Sequence, residues 1–502
     1  MESRYFRVSL VLSLCLLLGP ALCARDLNSW NIYKDSLYQP QAGAASSSSD
    51  LINWPAYIGF QQTGKIKASF DCFAEFYDFA TPPDSGAEYL SSGAIWIGGI
   101  VDSDTLVSVG YDGWYGNMEF SPPEYNQPNP RGSVNKIAYI ANFSMRAEFS
   151  DTAEYQGWYS ALDPFRHRPL NLKIANRSHA WHTSPQNSII IYDMVVTNVG
   201  NKTINEGCIG LYFDADVGDY TTTPETYLDD LAGSIRNRGI GYIIDNNGDL
   251  DSSSYTPVTR IFAFKFLDDS FNDKDTSFNW WSAKWYPPEL EYNFGPRQKG
   301  TSENPFRDFG TGGIGLPDGD ANKYYVMRFR EWDYDQIRTF SISDNDPVWL
   351  APNPANDADI SDGDDVRFLM SISPFQLPPD SSIRILYTTF TGDFVHTTGA
   401  SAHYLPEDPV SYYSLLYFND VLANAADSGR GNNRHNVLGI VYAGEMRPRC
   451  RIYLLLIVKR KNYFLPFKIK PIFKLSGRCK RNHPPFQFFL LERIHYRSIP
   501  RV

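Results

Sequence analysis

Apolar residues in this chain recur at every second position, in one short segment after another, and that period suits a strand rather than a helix. "GKIKASFDCFAEFYDF" (64–79) puts Ile66, Ala68, Phe70, Cys72, Ala74 and Phe76 on one side of an extended backbone. "AIWIGGIVDSDTLVSVGYDGW" (94–114) reads as a hairpin, two β-rich runs parted by Asp-Ser-Asp. "LNLKIANRSHAW" (170–181), "SIIIYDMVVTNVG" (188–200) and "NKTINEGCIGLYFDADVG" (201–218) continue the pattern, and "NVGNK" between the last two supplies Gly and Asn to a tight turn. Further strands are expected at 238–245, 259–267, 323–331, 338–342, 365–372 and 382–392, and one helix at 410–426, "VSYYSLLYFNDVLANAA". Many antiparallel strands need two layers to bury their apolar faces. The expected fold is therefore all-β, a large antiparallel β-sandwich or supersandwich-like body with one helix near its C-terminal end.

Aromatic residues make up 15% of the chain and charged residues 21%, which suits wide apolar contact surfaces joined by turns. No repeat of fixed period emerges, which argues against a propeller or solenoid. Residues 1–23 read as a secretory signal: Arg4 and Arg7, an apolar run at Val8–Leu18, and "ALC" ending at Cys23. That run is too short for a membrane anchor, so no transmembrane span is expected in the mature chain, and the expected location is extracellular or cell envelope. Residues 24–50 form a low-complexity linker, with "QPQAGAASSSSD" at 39–50, and residues 51–445 the body, as one large or two packed domains. Of six cysteines only Cys72 and Cys208 lie in the body, where they either pair or remain buried thiols.

Composition changes abruptly at Met446. Residues 446–502 hold 15 Lys+Arg against Glu492 alone, or +14, so with a total of −11 the preceding residues carry −11 − 14 = −25. Asp, Ala, Thr and Trp vanish from this tail together. A polybasic aromatic segment suits nucleic acid or anionic lipid. The joint loss of four residue types points instead to an unselected sequence, such as translation out of frame, so the tail is not expected to be a folded domain and no specific nucleic-acid partner is expected.

The segments "GAIWIGGIVDSDTLVSVG", "RHRPLNLKI", "IIYDMVVTNVGNKTINEGCIGLYFDADVG", "FNWW…FGPR", "GDANKYYVM…DYDQ" and "DDVRFLMSISPFQLPPDSSIRI" are similar to a group of uncharacterised exported β-rich proteins of environmental Gram-negative bacteria. The resemblance spans roughly 60–445 and implies export without implying an activity. Members of that group often continue into a C-terminal secretion-sorting domain, which this chain is not expected to have. "VVTNVGNKTI" with its following strand also resembles hairpins of large sugar-handling supersandwiches.

Chemistry concentrates in the aspartates. On the 201–218 strand, Ile209, Leu211, Phe213, Ala215 and Val217 share one face, and Cys208, Gly210, Tyr212, Asp214 and Asp216 the other. A rise of roughly 3.3–3.4 Å per residue sets Asp214 and Asp216 about 7 Å apart, between the carboxylate spacings of retaining and inverting glycosidases. A catalytic pair, a Ca2+ site with Asp219, and a solvated strand end are all compatible with that pattern. "DNNGDLD" (245–251) offers Asp245, Asn247 and Asp249 at alternate positions, though its Gly and its twelfth residue do not fit an EF-hand. "NDADISDGDD" (356–365) crowds Asp357, Asp359, Asp362 and Asp364 with Asp365, a density that a cation such as Ca2+ would relieve.

"FNWWSAKWYPPELEY" (278–292) is the densest aromatic stretch, and Trp280, Trp281, Trp285 and Tyr286, with Trp114, are candidates for stacking on sugar rings. "GTGGIG" (310–315) precedes a turn rather than a helix and is no nucleotide loop. His179, His182 and His167 make a poor metal set, and Asn142, Asn176 and Asn201 head glycosylation sequons. No hydrolase elbow, zincin motif or zinc-ribbon spacing is present. The expectation is a non-catalytic exported β-sandwich protein of the cell surface or envelope, acting in adhesion, glycan binding or scaffolding, with Ca2+ in its acidic loops. The alternative is a carbohydrate-active enzyme using Asp214 and Asp216 in an aromatic groove.

Overall fold

The computed structural model describes residues 57–396 except 114–118, 124–131, 138–140, 153–162, 164–166, 185, 220–227, 251–256, 268–274, 283–316, 318, 330, 350–360 and 393–394, together with the backbone of four short strands beyond residue 444. The chain divides into two units at Ile440/Val441. In the second, Glu445–Met446 pairs with Cys450–Arg451 and Phe473–Ser476 with Gln487–Leu490, both antiparallel.

The first unit is the sandwich that the alternation predicts. One sheet runs β1 (Ile58–Thr63), β2 (Ile66–Asp71), β3 (Glu75–Ala80), β4 (Ala87–Val101), β10 (Ile204–Asp214), β16 (Val366–Leu377), β15 (Thr276–Ser282). Strand β4 is long enough to hold β5 (Asp104–Val109) beyond β3 and β11 (Gly218–Asp219) beyond β10. The other sheet runs β12 (Asp230–Ile235), β13 (Ile240–Asp245), β14 (Phe262–Phe266), β17 (Ser382–Phe390), β9 (Ile189–Asn198), β8 (Leu172–Ala180), β7 (Phe143–Ser150), β6 (Asn135–Lys136). Every ladder in both sheets is antiparallel. Their inner faces meet in one core, where Phe213 lies 5.0–6.1 Å ring to ring from Phe76, Phe262, Phe264 and Phe368. Offset and tilted contacts of this kind add to the area that each ring buries.

Three local expectations are corrected. The run 64–79 is two strands: Asp71 accepts the N–H groups of Phe73 and Glu75, and Ala74 takes φ 70, which folds the chain into a β2–β3 hairpin. The alternation survives because Cys72 and Ala74 still point into the core. The "NVGNK" turn does not close a hairpin; it carries the chain from β9 in one sheet to β10 in the other. Asn198 holds that crossing, its Nδ2 donating to Lys202 O and Leu377 O and its Oδ1 accepting from Gly200 N–H. Residues 323–331 and 338–342 are not strands: the first belongs mainly to helix α1 (Gly319–Arg328) and the second to a 3-10 helix, Gln336–Ser341. The helix expected at 410–426 lies outside the described residues.

Helix α1 covers the outer face of the first sheet, so the face of β10 opposite the core is dry. Val326 and Met327 pack with Trp96, Cys208, Tyr212, Trp281 and Leu369 in a second cluster. The close approach depends on Gly98, where a Cβ would stand 2.8 Å from Met327 Cε. Cys72 and Cys208 are buried free thiols, the second 3.9 Å from Met327 Sδ.

The β2–β3 turn makes stability depend on pH. Burial pushes Asp71 up to about 7, and burial with the nearby Asp71 charge pushes Glu75 up to about 8. Both carboxyls hold protons more tightly folded than unfolded, so their contribution is full below about pH 4 and is lost as pH rises to about 8. Asp71→Asn, which keeps the acceptor oxygen, is expected to flatten the decline in melting temperature between pH 6 and 8; an unchanged slope would contradict the assignment.

Candidate metal centre

Strands β10 and β16 bring the acidic end together. Asp214 closes β10 and stands opposite Arg367 on β16 and Ser92 on β4, while Arg367 stands opposite Trp281 on β15. Arg367 Nη1 donates to Asp365 Oδ1 at 2.7 Å and to Asp365 O at 3.1 Å. Its Nε lies 3.2 Å from Asp214 Oδ1, a charge contact that falls short of hydrogen-bond geometry. Asp214, Asp365 and Arg367 are each at most 7% exposed. Asp216 joins them: one carboxylate oxygen each from Asp214, Asp216 and Asp365 lies within 4.8 Å of the others. The carboxylate oxygens of the two aspartates of "DADVG" thus come within 4.8 Å of each other, with Asp214 the last residue of β10 and Asp216 in the loop that follows.

Burial raises Asp214 well above the usual carboxylate range; Arg367 opposes the rise, and Asp216 and Asp365 add to it. Asp365 is raised by burial against the pull of Arg367, and Arg367 itself is raised by both partners despite burial.

A second set of aspartates lies at the same end. Asp230 opens β12 directly opposite Asp245, the last residue of β13, and both are buried. Val217 N–H donates to Asp230 Oδ2 at 2.8 Å, and the N–H groups of Asn247 and Gly248 both donate to Asp245 Oδ1. The segment 361–365 closes over them: Asp364 N–H donates to Asp230 O, and Asn246 Nδ2 to Asp362 O. Gly363 allows this contact, with φ 134 and a Cβ position only 2.2 Å from Asp229 O. His396 Nε2 meets Asp245 O at 2.8 Å, and burial lowers this imidazole to about 4, which leaves it neutral.

The loops at 245–249 and 361–365, separate in sequence, are therefore neighbours. Asp245, Asn247, Asp249, Asp362 and Asp364 sit in them, whereas Asp357 and Asp359 lie outside the described residues. Sequence reading missed Asp229, Asp230, Asn246 and Arg367; "YLDDL" is too short a signal, and Arg367 acquires its role from strand register. Trp280 and Trp281 do not offer faces to a sugar: they are 2% and 0% exposed, and Trp280 Nε1 donates to Tyr334 O. Trp114, Trp285 and Tyr286 lie outside the described residues. Asn176 is buried and donates to Tyr387 Oη, so its sequon is closed. His179 meets Ser144 and His167 meets Glu119, so these imidazoles serve different networks.

Fold and site together define a two-sheet antiparallel sandwich with carboxylates gathered at one end. No family model matches the chain, and no curated protein matches it. Among solved structures, a candidate aldose 1-epimerase of Escherichia coli K12 aligns over 67% of this chain and 99% of its own, at 9% identity and a TM-score of 0.25. A likeness at that level assigns neither a fold family nor an activity. Among the described residues no helix is long and apolar enough to cross a membrane.

Proposed function

We propose that the protein is an exported, non-catalytic β-sandwich that binds or scaffolds at the cell surface or envelope, with Ca2+ held between Asp214, Asp216 and Asp365. The observation that carries the metal reading is the approach of three carboxylate oxygens to within 4.8 Å around a single guanidinium. Three carboxyls share one guanidinium in a largely buried setting, so Asp214 and Asp365 resist ionising, and a divalent cation would let them do so. Hard oxygen donors at a strand end and in the adjoining loops suit Ca2+, which accepts about 6–8 such ligands in flexible geometry, better than Mg2+. A general acid or nucleophile must reach its substrate. The burial of Asp214, 6% exposed and 3.2 Å from Arg367, favours a structural role over a catalytic one. Export rests on the signal at residues 1–23, and the partner class, a glycan or other envelope component, follows from that location.

Melting of the EDTA-stripped protein with and without Ca2+ tests the metal reading. A ligand at about 100 times its Kd adds about 2.7 kcal/mol, a rise on the order of several °C. Asp216→Asn is expected to reduce that rise, and a melting temperature indifferent to Ca2+ in the unaltered protein would sink the reading. N-terminal sequencing of exported protein is expected to begin at Ala24.

A further inference from the structure

We infer that the protein pairs with a second copy of itself through β1, the two copies joining their first sheets edge to edge about a two-fold axis at Phe60. β1 ends its sheet, and its register on β2 runs one for one from Ile58↔Asp71 to Thr63↔Ile66 without a bulge. Cys72 N–H donates to Tyr57 O at 3.0 Å, so hydrogen-bonded pairs alternate from there. Gly59, Gln61 and Thr63 thus bond to β2, and Ile58, Phe60 and Gln62 turn their N–H and C=O groups to the open side. The strand itself is firmly held. A Cβ on Gly59 would stand 2.6 Å from Met145 Sδ, and buried Gln61 accepts from Ser178 Oγ on the other sheet.

Among the described residues the other ends of the two sheets are guarded, and β1 is not. At β15, Phe278 N–H donates to Glu331 O and Trp280 N–H to Asp333 Oδ2. At β12, Ala232 N–H donates to Gln336 Oε1 and Ser234 N–H to Asp335 Oδ1. β6 is two residues long and ends in exposed Lys136. Short strands, charges and covering segments are how proteins keep sheet edges from pairing. β1, "IGFQQT", has no charge, no proline and no bulge. It carries Ile58 and Phe60, 37% and 54% exposed, with Tyr57 beside them at 37%. Antiparallel pairing about Phe60 sets the two Phe60 rings side by side and each Ile58 opposite a Gln62, so every outward N–H meets an outward C=O. The edge is therefore complementary to itself. In a chain of net charge −11, an uncharged strand also lets two copies meet without a local like-charge contact. One short strand per copy buries less than about 1,200 Å2, so the pair exchanges with monomer in the micromolar range.

Sedimentation velocity of the full chain from about 1 to about 300 µM tests this. The expected result is a monomer–dimer equilibrium that stops at the dimer, because a two-fold edge pair closes on itself. Gln62→Pro removes an outward N–H while sparing the β2 ladder, and Phe60→Lys puts like charges on the axis. Each is expected to weaken association at least about tenfold, with the melting temperature of the dilute protein nearly unchanged. Amide exchange at Ile58 and Phe60 is expected to slow as concentration rises. Should Gln62→Pro not fold, Phe60→Lys and the exchange rates decide alone. A chain monomeric throughout, growth beyond the dimer, or dimers untouched by both variants overturns the pairing. Dimers lost in Phe60→Lys but kept in Gln62→Pro would overturn it too, in favour of ring stacking without strand addition. Slow exchange at both amides at every concentration would show the edge taken by the chain's own preceding residues, and no second copy would then be needed.

Discussion

Arg367→Met is expected to destabilise the metal-free protein by about 3–5 kcal/mol, the range for removing one partner of a buried charge pair. The guanidinium touches Asp365 at 2.7 Å and Asp214 at 3.2 Å, with its side chain 8% exposed. Without it both carboxylates remain buried beside Asp216 with no positive charge against them. Methionine fills similar space, so the loss is one of charge and not of packing. Two further measurements identify the cause. Adding Asp214→Asn and Asp365→Asn to the variant should recover much of the loss, because replacing a whole buried ionic group is often close to neutral. Millimolar Ca2+ should also recover more stability in Arg367→Met than in the unaltered chain, since the site then has three uncompensated carboxylates. A loss below about 1 kcal/mol in urea titration would show that Arg367 is not the counter-charge.

The comparison between sequence and structure follows from what periodicity can encode. Alternation identified Ile209, Leu211 and Phe213 of β10, with Ala215 and Val217 just after it, as a core face, and all five are fully buried. It could not say what covers the opposite face, because that depends on α1, whose sequence "GDANKYYVMR" carries aromatic and β-branched residues as a strand would. The turn at 72–74 left no mark in the pattern because its alternate side chains stay inward. At the β9–β10 crossing, "NVGNK" has the composition of a hairpin turn, and only long-range pairing decides which sheet the next strand joins. The acidic loops were legible one at a time. Their convergence was not, since Asp230 meets Asp245 by ladder register and Asp364 meets Asp230 across sheets. Trp280 and Trp281 look like a binding platform in sequence because dense aromatics serve cores and ligand faces equally well.

Lys323→Met is expected to cost a similar amount, about 3–5 kcal/mol, and to act first on α1. Lys323 Nζ lies 2.9 Å from Asp112 Oδ2, with the two side chains 4% and 3% exposed. Burial disfavours its charge, but Asp112, Glu119 and Asp320 overcome that and hold it protonated. The same carboxylates cap the free edge of β5: Val107 N–H donates to Asp320 Oδ2 and Val109 N–H to Glu119 Oε2. Burial opposes charge on His167, but Glu119, with Asp151 and Asp320, raises it to about 9, and it supplies positive charge on the other side of this network. Removing the ammonium leaves Asp112 and Asp320 repelling at the root of α1, while Tyr324 Oη to Glu206 O and the Arg328–Glu206 ion pair hold only its far end. Amide exchange should therefore accelerate in α1 and β5 before the rest of the sandwich. Trp96 and Trp281 should then become quenchable, since Met327 and Val326 form part of the lid above them. Lys323→Met with Asp112→Leu should restore most of the stability. Exchange that quickened uniformly across both sheets would show that α1 is not a separately anchored element but part of the same cooperative unit as the core.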